Sequence, residues 1–159
     1  MKYLLPLFFL LLVVSLFSCG PDYIYEKSYD ISEDGWAYED TLNFEVDIVD
    51  TVGLYNLYLV LEHATDYRFQ NLYTKIYTKF PSGERLEKEI SLELAYKDGT
   101  WVGNCNSKVC NVKIPIQQRA FFNAEGQYII TLEQYMRQNP IEGINKVEFK
   151  VDNTGEQKE

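Results

Sequence analysis

The stretch LYTKIYTKFPSGERLEKEISL, residues 72–92, decides the fold class of this chain. Leu72, Thr74, Ile76, Thr78 and Phe80 share one parity, and Leu86, Lys88, Ile90, Leu92 and Leu94 share another. A period of two puts such residues on one face of a β-strand. Between the runs lies Pro81-Ser82-Gly83, with proline suited to the second position of a type I turn and glycine to the left-handed position of a bulge. A three-residue loop pairs Thr78 with Leu86, Thr74 with Ile90 and Leu72 with Leu92; on the opposite face it pairs Tyr77 with Glu87 and Lys75 with Glu89. A two-residue loop would set Lys79 against Leu86 and mix the two faces. The three-residue register is the one expected.

Beyond this hairpin, Asp98-Gly99 reads as a two-residue turn. It would place Tyr96 opposite Trp101, Leu94 opposite Gly103 and Leu92 opposite Cys105. A further turn over 106–109 sets Cys105 opposite Cys110 and Trp101 opposite Ile114, so a continuous meander with one inward face is expected. Gly126-Gln127-Tyr128, before a strand running to Tyr135, has the form of the tyrosine corner of immunoglobulin-like sandwiches; the alternative is an ordinary turn and a core tyrosine. Asn139-Pro140 and Glu142-Gly143 make the last turn, and Val147, Phe149 and Val151 line the last strand. A short helical turn over 118–123 is also compatible with the sequence.

Towards the N-terminus, Leu54–His63 has two largely apolar faces, as a central strand does. Leu42, Phe44, Val46 and Ile48 alternate with Asn43, Glu45 and Asp47. A first strand is expected near Tyr23–Tyr29, followed by a Ser32–Gly35 turn. About eight strands separated by regular turn signals, in a chain with 13 tyrosines and 9 phenylalanines, define an all-β protein. The expected architecture is an antiparallel β-sandwich, immunoglobulin-like or jelly-roll-like.

The first residues read differently. Lys2 precedes an apolar run from Leu4 to Phe17, too short for a transmembrane helix, which needs about 20 residues. It has the form of a secretory signal. The run ends in Leu16-Phe17-Ser18-Cys19, which resembles a lipobox: a small residue before an acceptor cysteine. Residues 1–18 are therefore expected to be a cleaved lipoprotein signal peptide, and Cys19 to carry diacylglycerol and an N-acyl chain; two or more chains anchor almost permanently. The expected organisation is 19–40 as lipidated N-terminus, tether and first strand, 41–152 as the sandwich, and 153–159 as a polar tail. Cleavage leaves 141 residues with 14 basic and 24 acidic side chains, a net charge of −10. Such a surface argues against nucleic acid and against lying flat on anionic lipid.

Candidates for chemistry are few. Cys105 and Cys110, facing each other in the expected register, suit a disulfide outside the cytoplasm, the alternative being a buried pair of free thiols. Two cysteines do not make a zinc site, so no metal is expected. His63, the one histidine, follows the parity of Leu57, Leu59 and Leu61 and reads as a rim residue with a satisfied hydrogen bond, since no nucleophile elbow or metal motif accompanies it. Glu87, Glu89 and Glu93 share a face and could imitate paired glycosidase carboxylates, but beside Lys75 they read as a solvated sheet face. Tyr73, Lys75 and Tyr77 form either a platform for a sugar ring or a protein contact, or ordinary cross-strand pairs. No catalytic residue and no cofactor beyond the covalent lipid is expected.

Phe17-Ser18-Cys19, Thr41-Leu42-Asn43-Phe44 and above all Tyr67-Arg68-Phe69-Gln70-Asn71-Leu72-Tyr73 followed by Phe80-Pro81-Ser82-Gly83 resemble the gliding motility lipoprotein GldH family of Bacteroidetes. Ile114-Pro115 and Gly126-Gln127-Tyr128 fit as well, and Phe80-Pro81-Ser82-Gly83 is a variant of a Tyr-Pro-Asp-Gly turn. The resemblance implies a non-enzymatic lipoprotein required for gliding, partnered by other envelope proteins of the gliding and type IX secretion machinery. With one acid in Gly20-Pro21-Asp22-Tyr23, the expected location is the cell envelope, lipid-anchored and facing the periplasm. The alternatives are a carbohydrate- or peptidoglycan-binding lipoprotein using the Tyr73 and Tyr77 face, and a hydrolase built on the glutamates.

Overall fold

The computed structural model describes residues 23–159; the signal segment and Cys19 lie outside the described residues. The described residues form nine strands: β1 (Tyr23–Asp30), β2 (Leu42–Ile48), β3 (Gly53–Ala64), β4 (Asn71–Lys79), β5 (Arg85–Glu93), β6 (Asn104–Cys105), β7 (Val109–Ala120), β8 (Gly126–Gln134) and β9 (Ile144–Gln157). They build two antiparallel sheets, one ordered β1-β9-β3-β7-β6 and the other β2-β8-β4-β5. This is the sandwich that the alternation requires.

Burial follows parity closely. Leu42, Phe44, Val46 and Ile48 point inward while their neighbours stay exposed. Phe44 of one sheet meets Phe149 of the other with ring centroids 5.3 Å apart, and Tyr29 closes on Phe44 at 5.4 Å. β3, paired on both sides, is the central strand expected from its two apolar faces. The β4–β5 ladder has the three-residue register throughout, Thr78 opposite Leu86 and Leu72 opposite Leu92. The tyrosine corner is present: the Tyr128 hydroxyl donates to the Ala124 carbonyl at 3.0 Å.

The sandwich has two ends. Tyr23, Asp152 and Asn56 lie side by side at one, and Asp30, Lys146 and Glu62 lie side by side near the other. Trp36 is fully buried beyond the second row, bridging to Ile141, so the segment after β1 belongs to the core.

Five expectations are corrected. The turn at Asp98-Gly99 is not a two-residue hairpin: Tyr96 N–H donates to Thr100 O, and Gly99 sits third in the loop at φ 86°. Trp101 thus pairs with Ala95, one residue out of the expected register, and the Leu92–Cys105 and Trp101–Ile114 pairs do not form. The meander also ends here, because β5 and β6 belong to different sheets. Next, β9 runs on as strand to Gln157, with Asn153 opposite Tyr55 and Gln157 opposite Gly53 across a register shift, so the stretch read as a tail is largely strand; backbone bonds need no apolar side chains. No helix forms over 118–123. There Arg119 takes φ 52° with its N–H held by Asn56 Oδ1 at 3.0 Å. Finally, His63 is not at the rim. It is fully buried, opposite Cys110 and under Trp101 at 4.6 Å.

Candidate functional site

A groove of about 1010 Å³ opens at the Trp36 end, on the outer side of the four-stranded sheet. Tyr38, Phe69, Tyr73, Tyr135 and Met136 supply its apolar walls, and Asn71, Glu89, Ser91, Arg137 and Gln138 its polar ones. Aromatic rings with a few convergent polar groups on a rigid scaffold are what a recognition site needs. Tyr73 stands on β4 at the outward parity, about half exposed.

The groove wall is held from below by one buried amide. Gln134, the last residue of β8, is almost wholly buried; its Oε1 accepts from Met136 N–H at 2.8 Å, and its Nε2 reaches Gln138 O and Asn139 Oδ1, each at 3.3 Å. Asn139 Oδ1 also accepts from Tyr38 N–H at 2.9 Å, and the Tyr38 hydroxyl donates to Met136 O. Tyr135 N–H donates to Tyr73 O at 2.7 Å. A satisfied buried network of this kind fixes the geometry of the loop it serves.

Beside the groove, Lys75 is drawn into the sheet. Its ammonium lies 3.1 Å from Glu87 and 3.6 Å from Glu89, and 4.3 Å over the Tyr135 ring. The Glu87 hydrogen bond pushes its pKa up, so it stays charged. Tyr77 is tied down: its hydroxyl donates to Glu133 at 2.7 Å, which raises its pKa, and Arg85 stacks on the ring at 4.3 Å. Of the three expected binding residues, Tyr73 lines the groove, Lys75 supports it from the side, and Tyr77 does not line it. Glu87 and Glu89 share the open face with Lys75 between them, as expected of a solvated sheet face.

Tyr38, Tyr135 and Met136 carry no signal in the sequence that marks them as groove residues by themselves. Tyr135 follows β8 on the outward parity, which is a usable hint, but its partnership with Tyr73 depends on the β4–β8 pairing of distant segments. Cys105 and Cys110 face each other across the β6–β7 turn with Cα atoms 4.0 Å apart, joined as a disulfide. His63 Nδ1–H donates to Ala64 O, 2.9 Å away, while among the described residues its Nε2 has no partner; burial pushes its pKa down. Among the described residues, no group of three or more His, Cys, Asp or Glu side chains is placed to hold a metal, and no helix is long and apolar enough to cross a membrane.

Fold and site thus define an all-β sandwich that presents a tyrosine-lined groove at one end. The chain belongs to the GldH lipoprotein family, whose sequence pattern matches residues 23–151. It is similar to the gliding motility lipoprotein GldH homolog of Christiangramia forsetii, 26% identical over 91% of this chain and 92% of that one. It is likewise similar to the gliding motility lipoprotein GldH of Flavobacterium johnsoniae, 25% identical over 90% of this chain and 92% of that one. Among solved structures, TmCBM61 in complex with β-1,4-galactotriose gives a TM-score of 0.29 at 14% identity, over 71% of this chain and 58% of that one. A chain of infectious bursal disease virus Gx strain gives 0.27 at 16% identity, over 84% of this chain and 28% of that one. The family makes the chain a lipoprotein of the gliding motility type, and hence a membrane-anchored protein of the cell envelope.

Proposed function

We propose that this lipoprotein acts without catalysis, as an interaction component of the gliding and type IX secretion machinery. It is anchored through lipid on Cys19, faces the periplasm, and holds an envelope partner in the Tyr73 groove. The observation that carries the reading is the groove itself: large, aromatic-walled, and braced by the Gln134 network rather than left to mobile side chains. Rigid, half-exposed aromatic rings anchor protein contacts well. The names of the two relatives support the gliding role.

Replacing Tyr73 and Tyr135 together by alanine should reduce colony spreading and export of type IX cargo, with the lipoprotein still present in the membrane fraction at its normal level. Normal spreading and secretion in a strain lacking the gene altogether would reject the reading. A second reading, binding of a glycan or peptidoglycan strand, is favoured by the polar Asn71, Ser91 and Gln138 beside the exposed ring of Tyr73. A glycan array read with wild type and with Tyr73→Ala separates the two: glycan binding that disappears in the variant selects the second.

A further inference from the structure

The exposed apolar side chains of this molecule are sorted by chemistry between its two ends. Tyr38, Tyr73, Tyr96 and Tyr135 cluster towards the Trp36 end, Ile24, Val49, Val52 and Phe121 cluster at the Tyr23 end, and Leu86 stands apart on edge strand β5 opposite Thr78. The placement is set by the ladders. Val49 comes directly after Ile48, which pairs with Gly126 at the start of β8. Val52 O accepts from Lys158 N–H at 2.9 Å, just past the Gly53–Gln157 pair. Phe121 comes directly after Ala120, which pairs with Tyr55, and the Lys158 ammonium lies 5.3 Å over its ring. Val49 is 83% exposed and Phe121 53%.

We propose that the Tyr23 end of the sandwich rests in the membrane interface, with Val49, Val52 and Phe121 dipped into it and the tyrosine groove held away from the lipid. The proposal rests on the reading that Cys19 carries the anchor. Gly20, Pro21 and Asp22 alone separate Cys19 from Tyr23, so the lipidated residue lies within about 14 Å of that end. The far end of β1 is a further ~24 Å away along the strand. The lipid therefore delivers this end, and no other, to the bilayer surface. Aliphatic and phenyl side chains with lysine alongside are what the interface accepts, the lysine keeping its charge in the headgroups while its stem lies on the ring. Lys79, Arg85, Arg119 and Lys158 stand there among Asp47, Asp50, Glu84, Glu125 and Glu156. The flanks turn Glu45 of β2 and Glu87 and Glu89 of β5 outward. These outward carboxylates oppose a flat arrangement on anionic lipid, and the short tether selects the Tyr23 end.

The native tryptophans make the test direct, since Trp36 and Trp101 both lie at the far end. The full lipidated chain is placed in vesicles of phosphatidylethanolamine and phosphatidylglycerol, with and without brominated acyl chains, which quench indole emission on contact. Wild-type emission should be unchanged by bromine. The emission added by Phe121→Trp, and separately by Val49→Trp, should fall by half or more, and that added by Tyr96→Trp should not fall. Both positions at the Tyr23 end are exposed, so the fold tolerates the larger ring. Equal emission from Phe121→Trp and Val49→Trp in the two kinds of vesicle, with the protein floating with them, overturns the docking and leaves the anchor standing. A protein that does not float, and whose mass lacks the lipid, overturns the anchor reading and the docking together.

Discussion

Pro81-Ser82-Gly83 and Lys97-Asp98-Gly99 close their loops in the same way and send the chain to different places. In each, the residue before the loop donates to the residue after it, at 2.9 Å from Phe80 to Glu84 and at 2.8 Å from Tyr96 to Thr100. In each, the third residue is a glycine in the left-handed region, at φ 88° and 86°. The first loop returns the chain to its own sheet, where β5 pairs with β4 along its whole length. The second forms one bridge, Ala95 to Trp101, and hands the chain to the opposite sheet. The difference lies in the residues on the far side of each loop. Arg85–Glu93 alternates and finds β4 beside it, whereas Trp101 turns onto His63 and Tyr67, and Gly103 is pressed against Asn111 of β7. Turn chemistry reverses the chain locally. Distant contacts decide which sheet receives it.

The strongest way to break this comparison is to give both regions a methyl group. At Gly103 a Cβ would stand 2.2 Å from the Asn111 carbonyl oxygen with φ at 90°, so Gly103→Ala should lose about 3 kcal/mol or more in urea unfolding. At Gly83 the same atom meets nothing within 4 Å, and Gly83→Ala should cost only the left-handed penalty, about 1–2 kcal/mol. Equal losses would mean that the crossing is not held at Gly103. A smaller effect tests where the crossing chain is fastened. Cys105→Ser with Cys110→Ser opens a very short loop just after Gly103, and should cost about 2 kcal/mol while keeping the near-ultraviolet circular dichroism of the folded chain. A loss of all folded signal would show that the disulfide, and not Trp101, secures the second sheet.

The smallest effect concerns the histidine that Trp101 covers. Burial holds the folded pKa of His63 below its ordinary value of 6.5, so the unfolded chain takes up a proton first as pH falls. Stability that His63 leaves intact above that value is lost as pH drops through it towards the folded pKa. Urea midpoints at pH 7 and at pH 5.5 should differ more in wild type than in His63→Gln. Identical differences would mean that the ring is reachable by water and that Trp101 does not seal it.

The two loops also explain what the sequence could and could not disclose. The β4–β5 register was legible because parity and loop chemistry both lie within residues 72–92, and they exclude the competing alignment without any other segment. The crossing was not legible. Its decisive contact joins Gly103 to Asn111 through backbone atoms, and no side-chain pattern records such a contact. His63 was placed correctly by parity on the side of Leu59 and Leu61. Its complete burial needed Trp101 and Tyr67, which arrive from other turns. The groove divides in the same way: Tyr73 stood out on an exposed strand face, whereas Tyr38 and Met136 reach it from loops fastened by Gln134 and Asn139.

The place of β9 has a mechanical consequence. It lies between β1 and β3, paired with β1 over residues 146–152 and with β3 from Ile144 to Gln157. Its rungs run across the strands, as in any antiparallel ladder. A pull between a hold on the residues before Tyr23 and a grip on the groove at the opposite end runs along β1, so the load falls on the rungs together as shear and does not peel them one at a time. A chain tethered at that corner resists tension in the direction in which its ladder is strongest.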